Sequence, residues 1–197
     1  DVTNILDYNV DTTGATIETE RVQQALNDVN ANGGGVLYFP AGLYTVTNVN
    51  VKSNTTVYLE GGAVIRGTGD KTDYDHYSLG RWITHVFTID KAENVRFEGR
   101  GTIDGHGVQL GDGDKYGENP SVIWDVPLKI RAVSTKKSSN VQVDGIIVRE
   151  VTDWSVPFYY SDKINVSRVK VLNYTGWYHS DGINMCASQQ GTVEDCF

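Results

Sequence analysis

Asn140-Val141-Gln142-Val143-Asp144-Gly145 repeats a unit that also stands at Asn94-Val95-Arg96-Phe97-Glu98-Gly99, at Asn165-Val166-Ser167-Arg168-Val169 and, more loosely, at Gly191-Thr192-Val193-Glu194-Asp195. Each copy reads as a turn followed by a short strand, with apolar residues at alternate positions beginning just after an Asn or Gly. Val143 and Val166 are 23 residues apart, and Val166 and Val193 are 27 apart. That period is the mark of a solenoid, in which one coil cannot bury its apolar face alone and stacks on the next. Earlier copies are spaced wider, with loops such as 69–77 and 111–124 inserted. Coils of two or three short strands with no helix between them predict an all-β fold, a right-handed parallel β-helix. The alternative is an antiparallel sandwich of similar strand lengths, but a sandwich has no reason to repeat an Asn-Val-x-Val unit at coil spacing.

The rest of the chain fits the same reading. Val36-Leu37-Tyr38-Phe39, Tyr44-Thr45-Val46, Thr56-Val57-Tyr58-Leu59 and Val64-Ile65 are brief β-rich runs broken by Gly, Asn, Asp or Ser. One segment alone has helical spacing: Val22, Ala25, Leu26 and Val29 fall at i, i+3, i+4 and i+7, after Thr16 or Thr19 as a start and before Asn32-Gly33-Gly34-Gly35 as a stop. It is expected to cap the open end of the solenoid, which would otherwise expose apolar surface and unpaired edges. The chain stops at Glu194-Asp195-Cys196-Phe197, inside a strand-like run without a polar cap. Residues 1–197 are therefore expected to be the N-terminal part of a single β-helix catalytic domain, truncated mid-solenoid, with the remaining C-terminal part of the same enzyme as its partner.

Composition narrows the function. With 21 Gly but only 4 Pro, 39% apolar and 21% charged residues, the 197-residue chain is neither collagen-like nor disordered. A net charge of −8, from 17 Lys+Arg against 25 Asp+Glu, argues against nucleic acid or a membrane surface as partner. No run approaches the roughly 20 apolar residues of a membrane span. Asp1-Val2-Thr3-Asn4 does not resemble a signal peptide, so a soluble chain with any export signal already removed is expected. Cys186 and Cys196 lack the spacing of paired metal ligands; they are buried thiols or, in an oxidising compartment, a disulfide. The sequons at Asn54, Asn165 and Asn173 matter only in a glycosylating host.

The densest polar and aromatic stretch is Trp177-Tyr178-His179-Ser180-Asp181-Gly182-Ile183-Asn184. A carboxylate followed by Gly on the face of a rigid solenoid, with aromatic rings to stack on a sugar, suits glycoside hydrolysis. An Asp-Gly turn between strands is the structural alternative. Trp154, Tyr159 and Tyr160 are further candidate sugar platforms, and Lys163, Arg168 and Lys170 lie on repeats whose facing is open. Asp104 and His106 read as a turn shaping the cleft wall. Glu150 and Asp153 flank Trp154 and read as a solvated turn, with a sugar subsite or calcium as the other reading.

Asn4-Ile5-Leu6-Asp7-Tyr8, the glycine-rich run through Gly33-Gly34-Gly35-Val36-Leu37-Tyr38-Phe39-Pro40-Ala41-Gly42-Leu43-Tyr44, Ser53-Asn54-Thr55-Thr56-Val57-Tyr58-Leu59-Glu60-Gly61-Gly62-Ala63 and Gly99-Arg100-Gly101-Thr102-Ile103-Asp104-Gly105-His106-Gly107 together resemble the entry coils of the pectin-lyase-like superfamily. Within it the chain is most similar to the inverting hydrolases of the polygalacturonase clan: glycoside hydrolase family 28, with the dextranase and α-1,3-glucanase families 49 and 87 as relatives. Ser180-Asp181-Gly182-Ile183 resembles the motif whose Asp is one of three catalytic carboxylates. The resemblance implies a secreted glycoside hydrolase that needs no metal or cofactor. Asp181 is its catalytic residue, Trp177, Tyr178, His179, Asn184, Trp154, Tyr159 and Tyr160 contact the polysaccharide, and the other two carboxylates lie a few residues beyond Phe197. The aromatic residues, with few cations of certain facing, tilt the expected substrate toward a neutral α-glucan, such as α-1,3-glucan or dextran, over polygalacturonan. A pectate-type lyase and a non-catalytic carbohydrate-binding β-helix are the alternatives.

Overall fold

The computed structural model describes residues 1–74, 77–78, 82–107, 129–173 and 180–197. After Thr19–Ala31, the one α-helix among them, the chain visits three sheets in strict rotation. The first sheet stacks Val2–Asn4, Gly35–Phe39, Thr55–Leu59, Glu93–Gly99, Ser139–Asp144, Asp162–Ser167 and Gln189–Glu194. The second runs from Thr13–Ile17 to Lys170–Leu172, and the third from Val49–Asn50 through Trp82–Asp90, Lys129–Lys136 and Val156–Tyr159 to Ile183–Cys186. Apart from Tyr77–Ser78, which pairs antiparallel with Trp82–Asp90, every ladder among the described residues is parallel. This is a parallel β-helix, right-handed as crossovers between parallel strands are.

The repeat period becomes literal in the register. Val143 partners Val166, which partners Val193. Leu37, Val57, Phe97, Val143 and Val166 form one inward column of the first sheet, while Tyr44, Ile65, Ile103 and Val148 form one of the second; all are fully buried. Each such side chain contributes about 1.5–3 kcal/mol by leaving water. Phe87 of the third sheet meets Phe97 of the first edge-on, with centroids 5.1 Å apart, so the sheets share one core. Val22, Ala25, Leu26 and Val29 of the helix close its N-terminal end, as their spacing predicts.

Corners between sheets use left-handed residues backed by polar ladders. Asn54, Asn94 and Asn140 have φ of 59°, 56° and 53°, a conformation that Asn tolerates better than most residues. Their amides link coil to coil: Asn94 Nδ2 donates to Asn54 Oδ1 at 2.9 Å and Asn140 Nδ2 to Asn94 Oδ1 at 2.7 Å. One copy of the repeat departs from its sequence reading. Asn165 partners Gln142 inside the strand, and the corner position is taken by Lys163 with φ of 53°. Because side chains alternate with period two, a slip of two residues keeps the same face inward, so the apolar pattern does not reveal it. At the corner from the third sheet to the first, Ser138 N–H donates to Ser161 Oγ and Ser161 N–H to Ser188 Oγ, both at 3.1 Å. Cys186 and Cys196 are free thiols, both partly buried.

Candidate active-site face

Asp181 lies in the turn that enters Ile183–Cys186. Its carbonyl accepts the N–H of Ser155 at 2.8 Å, and that of Gly182 accepts Val156 N–H at 3.0 Å, so the turn is registered on the preceding coil. Ile183 and Met185 partner the core residues Val156 and Phe158, which turns the alternate residues Asn184 and Cys186 outward. Asn184 Nδ2 donates to Asp181 Oδ2 at 3.0 Å, and Asp181 is exposed. Asn173 reinforces the turn from behind. Its Nδ2 donates to Ser155 Oγ at 2.8 Å and to the Ser180 carbonyl at 3.2 Å, while its Oδ1 accepts Val151 N–H at 3.2 Å.

One coil before Asp181, Trp154 and Tyr159 stack with ring centroids 6.1 Å apart and planes inclined by 21°. The Arg131 guanidinium lies 5.4 Å from the Trp154 ring and 5.5 Å from that of Tyr159, where a cation is attracted to both rings. Arg131 Nε donates to Asp153 Oδ2 at 2.6 Å, and Lys129 Nζ approaches Asp153 Oδ1 at 4.0 Å. Asp153 is only 3% exposed. It is therefore not the residue of a solvated turn that the sequence suggests: a buried carboxylate needs charge partners, and two cations of the adjoining strand supply them. Burial raises the Tyr159 phenol above its ordinary value, with Arg131 opposing the shift.

The expected site residues divide accordingly. Asp181 and Asn184 touch, and Trp154 and Tyr159 form one aromatic pair on the coil beneath them. Tyr160 takes a left-handed corner position with φ of 51° and is 64% exposed, and among the described residues no ring contact joins it to that pair. Trp177, Tyr178 and His179 lie outside the described residues. Lys163, Arg168 and Lys170 are not near Asp181 along the third sheet: Lys163 is at the corner into the first sheet, Arg168 at the corner from the first to the second, and Lys170 on the second. The third sheet carries Lys129, Arg131 and Lys136 instead, and Lys136 partners Tyr159.

Asp104 and His106 form the turn their sequence suggests. Asp104 Oδ1 accepts His106 N–H at 2.8 Å, and its Oδ2 accepts both Nε and Nη2 of Arg149, at 3.0 and 2.8 Å. Glu150, next to Arg149, has its carboxyl pushed up by burial and then by Asp104. Among the described residues no group of three or more His, Cys, Asp or Glu is arranged to hold a metal ion. Arg131 and Asn173 escape a sequence reading. The signal for Arg131 is a lone cation in the apolar run Ile130-Arg131-Ala132-Val133, which demands a buried partner.

The profile of glycosyl hydrolases family 28 matches residues 35–197. A Vitis vinifera protein described as a probable polygalacturonase is 22% identical over 209 residues, covering 98% of this chain and 41% of its own length. The exo-poly-alpha-D-galacturonosidase of Dickeya chrysanthemi is 30% identical over 120 residues, covering 54% of this chain and 20% of its own. Among solved structures, the family 28 exopolygalacturonase of Yersinia enterocolitica superposes with a TM-score of 0.82 at 18% identity, covering all of this chain and 43% of the enzyme. The chain thus spans about two-fifths of the length of the curated relative it matches end to end.

Proposed function

Because the chain belongs to glycosyl hydrolases family 28, we propose that it is the N-terminal part of a single catalytic β-helix that cleaves polygalacturonan outside the cell by hydrolysis with inversion. The observation that carries this reading is Asp181, registered on the coil below through Ser155, steadied by Asn184 and set one coil beyond a Trp154–Tyr159 platform. In an inverting site one carboxylate activates water while another protonates the glycosidic oxygen, the two standing roughly 6.5–9.5 Å apart to admit the water. Asp181 takes the water-directing role together with one member of a carboxylate pair expected a few residues past Phe197. The other member is the acid, its proton retained through the repulsion of neighbouring carboxylates.

Two considerations favour polygalacturonan over the neutral α-glucan that the aromatic residues suggested. The two curated relatives are described by polygalacturonase-type activities. The third sheet also carries Lys136 beside Tyr159, on the same strand as the Lys129 and Arg131 that pair with Asp153, so its cations lie next to the Trp154–Tyr159 platform. The test is release of reducing ends by the complete protein from polygalacturonan, dextran and α-1,3-glucan. Cleavage of polygalacturonan alone is expected; cleavage of a neutral glucan alone would reverse the substrate assignment.

A further inference from the structure

The corner from the first sheet to the second is built differently from the others. Gly99 and Gly145 turn it with φ of 115° and 76°. A Cβ on Gly99 would lie 2.0 Å from the Leu59 carbonyl oxygen, and one on Gly145 would lie 2.6 Å from that of Gly99. The backbones are packed too closely for side chains, and the bare corner leaves a groove of about 550 Å³ across several coils. Tyr58 walls it on the first sheet, 39% exposed and inclined on Tyr38 at a centroid distance of 6.0 Å. Arg100, Arg168 and Lys170 wall it on the other side.

The charges of this groove are unevenly spent. Asp144 is occupied by Arg168 Nη2 at 2.5 Å and by Ser167 Oγ at 2.8 Å, and Glu98 faces Arg96 at 3.7 Å. Arg100 and Lys170, both exposed, have no acidic partner among the described residues. Lys170 partners Ile147, which partners Thr102, so the two cations are set off by two coils, roughly 10 Å at the usual inter-strand spacing. Two unspent cations beside an exposed tyrosine, on a chain of net charge −8, select an anionic ligand that also offers a flat apolar face. Asp181 lies in the turn that enters the third sheet, whereas this corner joins the other two, so the groove is set apart from Asp181.

We infer that this corner groove is a second carbohydrate-binding site, apart from the Asp181 face, which takes a short stretch of an anionic polysaccharide with its carboxylates on Arg100 and Lys170 and a sugar ring on Tyr58. Such a site holds the polymer while another stretch occupies the catalytic face.

Calorimetric titration of the complete protein, carrying Asp181→Asn to prevent turnover, with an oligogalacturonide tests this. Two binding sites are expected. In Arg100→Ser/Lys170→Ser the affinity of one of them falls at least tenfold, whereas Arg100→Lys/Lys170→Arg keeps both; a neutral maltooligosaccharide leaves the groove empty. One site, unaffected by the Ser substitutions, would overturn the proposal, as would equal occupancy by the neutral sugar. One site that the Ser substitutions remove would uphold the groove while counting against polygalacturonan as the ligand of the Asp181 face, so the two claims fail separately. Both cations are exposed, and should the double variant lose its native melting transition, Lys170→Ser alone is read by the same criteria.

Discussion

Asn173 donates its side-chain amide to the carbonyl of Ser180 at 3.2 Å, fixing the residue immediately before Asp181 from the end of the preceding strand of the same coil. The same amide nitrogen reaches Ser155 Oγ, and its oxygen takes the Val151 N–H, so one side chain joins three segments that meet at the proposed site.

Asn173→Ala leaves the Val151 N–H and the Ser180 carbonyl without these partners, which costs about 1–3 kcal/mol for each buried group left unsatisfied. The expected result in the complete protein is a lower urea midpoint and a fall in kcat larger than any change in KM, because the loss misplaces Asp181 rather than the sugar platform. A purely structural role would lower the midpoint and leave kcat intact. A glycan on Asn173 would sit on the nitrogen that makes these bonds, so mass spectrometry of protein from a glycosylating host should find this sequon unmodified.

Arg131 and Asp153 form a buried pair, and removing one member strands the other's charge. Asp153→Ala is expected to cost about 3–5 kcal/mol. Replacing both residues with apolar ones of similar volume should cost less than the single change. Denaturant unfolding of the two variants checks this, and a double variant worse than Asp153→Ala would contradict it.

His85 partners Arg131 in the register and is buried; burial first, and Arg131 second, hold its imidazole down at about 3. The unfolded chain, with an ordinary value of about 6.5, binds the proton that the folded chain refuses. Stability from this residue is therefore present above about pH 6.5 and is lost as pH falls toward 3. The melting temperature of His85→Gln should fall less between pH 7 and pH 4 than that of the parent. A parallel fall in both would show that other groups set the acid limit.

The fold was legible because a solenoid writes its register into the chain: the spacing of Val143, Val166 and Val193 is the distance between ladder partners. The helix was legible from Val22, Ala25, Leu26 and Val29 for the same reason, a periodic apolar face. The corner at Lys163 was not, since the ladder imposes the left-handed conformation there whatever the residue, and the nearby Asn165 imitates the usual spelling. At the proposed site, the Ser-Asp-Gly-Ile setting singles out Asp181 in the sequence, whereas Arg131 and Asp153 meet across a coil through a contact with no local signature. Distance in sequence also explains the tilt toward a neutral glucan. Lys129, Arg131 and Lys136 of the third sheet lie on one strand far before Asp181 in sequence, whereas Lys163, Arg168 and Lys170, closer to Asp181 in sequence, lie on other parts of the solenoid.

The most direct test of hydrolysis at Asp181 is proton NMR of the first product formed by the complete protein from polygalacturonan. Release of the β-anomer from the α-linked polymer, with a loss of at least about 100-fold in rate in Asp181→Asn, is the predicted result. Release of the α-anomer, an unsaturated product formed by elimination, or an Asp181→Asn variant as active as the parent would contradict it.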